Sequence, residues 1–115
     1  MTVTYEPILL GGARLATIIA GLVTIDEQDI ATIEWSRSTR HHDGNYGPGI
    51  TVHCQDAPQR RRIANAFHLD GPLTIYGDDV QCASNNGIYH GTRVNVYSRA
   101  DDIDHAAHQD NLLLA

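Results

Sequence analysis

Leu15-Ala-Thr-Ile-Ile-Ala-Gly-Leu-Val-Thr-Ile25 is the stretch on which the fold turns. Leu15, Ile18, Ile19 and Leu22 stand at helical spacing, while Thr17, Ile18, Ile19, Val23, Thr24 and Ile25 are β-branched and favour a strand. The weight of β-branched residues reads as a long strand, covered on both faces and bent at Gly21. At eleven residues this uncharged run is too short to span a bilayer.

Working outward, Ala31, Ile33 and Trp35 alternate with Thr32, Glu34 and Ser36, as in a half-buried strand. The glycine-rich and proline-containing stretch 39–49 reads as an irregular loop. A third strand follows, with Ile50, Val52 and Cys54 inward and Thr51, His53 and Gln55 outward. Residues 57–69 are the clearest helix: Asp56 suits the N-cap, Gln59 the capping-box position and Pro58 the first turn, with Ile63 and Phe67 forming the apolar stripe. Gly71-Pro72 ends it. Strands are expected over 73–76 and 80–83. Asn85-Asn86-Gly87 reads as a hairpin turn leading to a long sixth strand over 88–99. Asp101-Asp102-Ile103-Asp104 starts a short C-terminal helix or tail ending in Leu112-Leu113-Leu114.

These elements predict one α+β domain over residues 1–115. A single antiparallel sheet of about six strands, in βββ-α-βββ order, carries one main helix on one face. Residues 101–115 are expected to serve self-association, because three terminal leucines need a surface to dock on.

The chain has no lysine: its eight basic residues are all arginine, against 14 acidic ones, for a net charge of −6. Lysine codons are A-rich, so the bias suggests a G+C-rich bacterium or its phage. The acidic balance disfavours nucleic acid and anionic membranes as partners. Cys54 and Cys82 follow no secretory leader and read as reduced, cytoplasmic thiols.

The last strand carries the most informative constellation. As one continuous strand, 88–99 puts Tyr89, Arg93, Asn95, Tyr97 and Arg99 on a single outward face, where tyrosine offers a flat surface and arginine pairs with phosphate-like anions. The ordinary reading of such a face is a solvated one, and a subunit contact is a third. His90, on the opposite face, reads as a hydrogen-bonded core histidine. In the loop, Arg40, His41, His42 and Tyr46 are polar or aromatic groups suited to ligand contact, and His41, His42 and Asp43 are the candidates for acid–base or metal chemistry. Of Arg60-Arg61-Arg62 at the start of the helix, Arg60 is expected to snorkel and Arg61 to face a ligand. No paired zinc ligands, nucleophile elbow or phosphate loop occurs, so no cofactor is implied. The expectation is a small binding protein, self-associating and engaging a small anion or a protein. A small hydrolase using His41, His42 or Asp43 and a weak single-stranded nucleic-acid binder are the alternatives.

Overall fold

The computed structural model describes residues 6–40 and 45–114, with the backbone alone for 6–10, 40 and 110–114. The elements run α1 (Glu6–Thr24), β1 (Thr32–Arg40), β2 (Tyr46–His53), α2 (Ala57–Ala66), β3 (Thr74–Tyr76), β4 (Cys82–Tyr89), β5 (Thr92–Arg99) and α3 (Asp102–Leu114). The fold is α+β, but its sheet is mixed and five-stranded, in the order β1-β2-β5-β4-β3. The other neighbours are antiparallel, while β5 runs parallel to β2, with Ile50 beside Val94 and Val52 beside Val96.

The stretch 15–24 is helix, not strand, and Ile25 lies in the turn that follows. Helix propensities of β-branched residues differ from those of good helix formers by only a few tenths of a kcal/mol, whereas burying a large aliphatic side chain is worth about 1.5–3 kcal/mol. Ile18 and Leu22, four residues apart, are both buried against Ile50, Val52 and Phe67. Helical spacing therefore wins. Gly21 marks the point where α1 rests on the domain: a Cβ there would lie 2.7 Å from the Tyr89 hydroxyl and 3.0 Å from the Phe67 ring.

Two helices end alike. Asp26 (φ 61°) and His68 (φ 53°) adopt the left-handed conformation. The following amides then reach back, Glu27 N–H to the Leu22 carbonyl at 2.8 Å and Leu69 N–H to the Ala64 carbonyl at 2.9 Å. This is the Schellman arrangement, which glycine usually closes. Asp26→Gly and His68→Gly should each stabilise the fold by roughly 0.5–1 kcal/mol, the left-handed penalty less glycine's entropy cost. Urea unfolding reads the change, and a loss of stability in both would contradict the geometry.

α2 has the expected cap. The Gln59 amide donates to Asp56 Oδ1 at 2.8 Å, and Gln59 Oε1 accepts from the Gln55 amide at 2.8 Å. The helix closes at Ala66 with Phe67 as C-cap, short of the expected residue 69.

Residues 88–99 are two strands and a turn. His90 (φ 48°) and Gly91 (φ 76°) both have positive φ, and Tyr89 pairs with Thr92, as in a two-residue type I′ hairpin. His90 is thus an exposed turn residue rather than a core histidine. Asn85-Asn86-Gly87, the expected turn, lies inside β4, where Gly87 lets Leu69 approach: a Cβ would meet its Cα at 2.8 Å. The expected loop 39–49 is largely strand as well, since β1 reaches Arg40 and β2 begins at Tyr46. Pro48 precedes the stretch of β2 that pairs with β5, where a missing amide costs no bond to that strand. The C-terminal helix spans the expected stretch, from Asp102 to Leu114; the side chains of Leu112, Leu113 and Leu114 lie outside the described atoms.

Candidate functional site

Alternation sorts the sheet into two faces. Ile50, Val52, Val94 and Val96 point to the side covered by Ile18 and Leu22 of α1 and Ile63 and Phe67 of α2. The opposite face carries Glu34, Thr51, His53, Tyr76, Cys82, Ser84, Arg93, Asn95, Tyr97 and Arg99, by register with those strands.

Tyr97, on the central strand β5, organises that face. The His53 ring on β2 meets it edge-on, with centroids 4.8 Å apart. Tyr76 on β3 lies near-parallel to it at 5.9 Å, across β4. Glu34 on β1 fixes the imidazole, with Oε1 2.8 Å from His53 Nε2. A carboxylate, an imidazole and two phenols thus form a row across the sheet. Both phenols are held above the ordinary tyrosine range. For Tyr76 the cause is chiefly burial, and for Tyr97 chiefly its hydrogen bond with Cys82. They stay protonated at neutral pH.

Arg93 and Arg99 stand at the two ends of the β5 row. Six residues of strand place them roughly 20 Å apart, with Arg99 about 7 Å from Tyr97. Among the described residues neither has a carboxylate within 4.0 Å. Beside Arg99 lies a shallow cleft of about 560 Å³, lined by Asp78, Asp79, Val80, Gln81, Ala100 and His105 as well.

Tyr89 does not join this face. The two-residue turn at 90–91 reverses the chain so that Tyr89 alternates with Thr92 and Val94, not with Arg93. It stacks on Phe67 at 4.1 Å and 14°, against the core. Arg93 and Tyr97 do share a face. Tyr46 is 66% exposed and alternates onto the side of Ile50. His41, His42 and Asp43 lie outside the described residues, and the Arg40 side chain outside the described atoms.

The arginine triplet is engaged within the chain. Arg60 is fully buried rather than snorkelling. Its Nε donates to Ser98 Oγ at 3.0 Å, Nη1 to Asn85 Oδ1 and Nη2 to Asp104 Oδ1. Arg61 holds Asp101 with two bonds of 2.9 and 2.8 Å and reaches Asp104 at 2.9 Å. Arg62 pairs with Glu27. The sequence showed cations at a helix start, where they oppose the macrodipole; the carboxylates that offset them come from the α1–β1 connection and α3. Those of Asp101 and Asp104 also accept each other's backbone amides at 3.0 Å, closing a capping box on α3.

These pairs set the acid response. Arg61 holds the Asp101 carboxyl well below the ordinary range, and Arg62 holds Glu27 below it. A carboxyl whose folded pKa is depressed stabilises the fold above its unfolded pKa of about 4 and loses that stabilisation as pH falls. The melting temperature should therefore drop as pH falls from about 5 toward 2. Asp101→Asn should be less stable at pH 7 and show a flatter profile, checked by thermal melts across that range. Equal slopes would contradict the pairing.

Cys54 is buried and its thiol is pushed up to about 11 by burial, so it is protonated at neutral pH and no nucleophile. Among the described residues no three His, Cys, Asp or Glu side chains converge to hold a metal ion. No described helix is long and apolar enough to cross a membrane. Glu34, His53 and Tyr76 were not read as site residues, whereas Arg99 was legible as an outward arginine of the last strand. The outward positions of His53 and Tyr97 on their strands were legible, but not that β2 and β5 would be neighbours. Compared with known proteins, the chain matches no protein family, no curated protein and no solved structure.

Proposed function

We propose that the protein is a non-catalytic binding module, working as a homo-oligomer, whose uncovered sheet face takes a small planar anion such as a nucleoside phosphate. One observation carries the reading: a face left open by α1 and α2 gathers Tyr76, Tyr97 and His53 on the same side as Arg93 and Arg99, which among the described residues have no carboxylate within 4.0 Å. The aromatic groups supply a flat apolar surface, and Arg99, one alternate position from Tyr97, supplies a bidentate partner for a phosphate. The net charge of −6 favours a small anion over a long phosphate backbone. The lysine-free composition supports an origin in a G+C-rich bacterium or its phage.

Thermal shift with nucleoside mono- and triphosphates, and with inorganic phosphate as the control, tests this. Nucleoside phosphates should stabilise the wild type more than phosphate does, and Tyr97→Ala and Arg99→Ala should each weaken binding about tenfold, or roughly 1.4 kcal/mol. No shift with any of them at millimolar concentration would sink the reading.

The Glu34–His53 contact at 2.8 Å favours a second reading, in which His53 is an acid–base group oriented by a carboxylate. Turnover of nitrophenyl esters or phosphates by the wild type and not by His53→Ala would move the function to hydrolysis. No turnover would leave binding as the function.

A further inference from the structure

We propose that two copies of this chain pair through the outward side of α1, antiparallel, about a two-fold axis near residues 17 and 18. This names the surface for the self-association proposed above and rests on that much. Ligand binding by the sheet face stands or falls separately.

A surface helix normally presents charge to water, and a helix that is apolar all round is covered. From residue 7 to residue 25, Arg14 is the single charged residue. One side of α1, with Ile18 and Leu22, is buried in the core. The other exposes Gly12, Ala13, Ala16, Ile19, Ala20 and Val23, with Ile19 at 48% and Val23 at 53%. The threonines add little polarity, since Thr17 and Thr24 donate their hydroxyls to the Ala13 and Ala20 carbonyls at 3.0 and 2.9 Å.

The order of sizes says what covers this side. Gly12, Ala16, Ile19 and Val23 are spaced four, three and four, the seam of a helix pair. In an antiparallel pair the two kinds of seam position face each other. Ile19 of one copy then meets Ala16 of the other, and Val23 meets Gly12. Every layer matches one large residue with one small one, so the backbones can approach closely without a cavity or a clash. A two-fold contact must be complementary to itself, and this one is. It is also free of charge in a chain of net −6, so the like charges of the copies stay outside it. The seam from Gly12 to Val23 is roughly 17 Å long. That puts the contact at the small end of specific interfaces, below about 1,200 Å², with dissociation in the micromolar range.

Sedimentation equilibrium of the full chain from about 1 μM to 1 mM tests it. The wild type should be a concentration-dependent dimer. Ile19→Glu, which would bury a carboxylate against Ala16 of the second copy, should raise the dissociation constant at least roughly 100-fold. Ala16→Ile and Ile19→Ala should each weaken the dimer, and together they should restore it, because the double variant again has one large and one small residue per layer. Far-UV circular dichroism verifies that each variant folds. If Ile19→Glu does not fold, the swap pair decides. A wild type that stays monomeric to 1 mM, whether or not it floats with lipid vesicles, overturns the proposal and the self-association with it. A dimer indifferent to Ile19→Glu, or a swap that fails to restore pairing, overturns the α1 surface alone.

Discussion

Asp104→Ala should cost the fold about 3–5 kcal/mol, the range for removing one partner of a buried ion pair. Arg60 is 0% and Asp104 2% exposed, so neither can exchange its partner for water. Without the carboxylate, the guanidinium keeps only the neutral oxygens of Ser98 and Asn85 in a site closed by α2, α3 and the sheet. That cost is a large share of the 5–15 kcal/mol typical of a domain. Asp104 also caps α3, so the helix loses its start and its anchor together. Asp102→Ala, exposed on the same turn, should change stability by less than about 0.5 kcal/mol. Arg60→Met combined with Asp104→Leu should be more stable than Asp104→Ala alone, because an apolar pair leaves no unmatched charge. Urea unfolding followed by the fluorescence of Trp35, the sole tryptophan, measures all three. A loss below 1 kcal/mol in Asp104→Ala would mean that water reaches Arg60.

Phe67→Ala should destabilise by about 3–5 kcal/mol, the usual cost of emptying a buried aromatic site. Phe67 is 3% exposed and stacks on Tyr89, and both rings bear on α1 at Gly21. The site cannot collapse cheaply, since Ile18 and Leu22 on one side and the sheet on the other are fixed by their own burial. Phe67→Leu should lose much less, about 1–1.5 kcal/mol, because most of the volume remains. Urea titration and near-UV circular dichroism read both variants. An Ala cost equal to the Leu cost would show that α1 shifts to fill the space.

Local chemistry made several elements legible. Ile33-x-Trp35 and Ile50-x-Val52-x-Cys54 alternate because one side of each strand is covered, and Asp56 with Gln59 caps α2 through bonds that span only four residues. The candidate site was legible in part: Arg93 and Tyr97 do share a face, as an even spacing along one strand requires. Tyr89 was misplaced because His90-Gly91 was read as strand. Reversal of the chain through two residues changes which side residue 89 joins, and histidine in a left-handed position is a weak signal for a turn.

The α+β class, the capped helix α2, the short strands around it and the outward parity of His53 and Tyr97 could be read from the residues alone. These rest on periodicity and on bonds between near neighbours. That α1 is a helix, that β5 lies between β2 and β4, and that Arg60 is buried against Asp104 follows from long-range packing. Each depends on a partner 25 or more residues away, and the free energy of burying side chains against such partners outweighs the small local preferences a sequence displays.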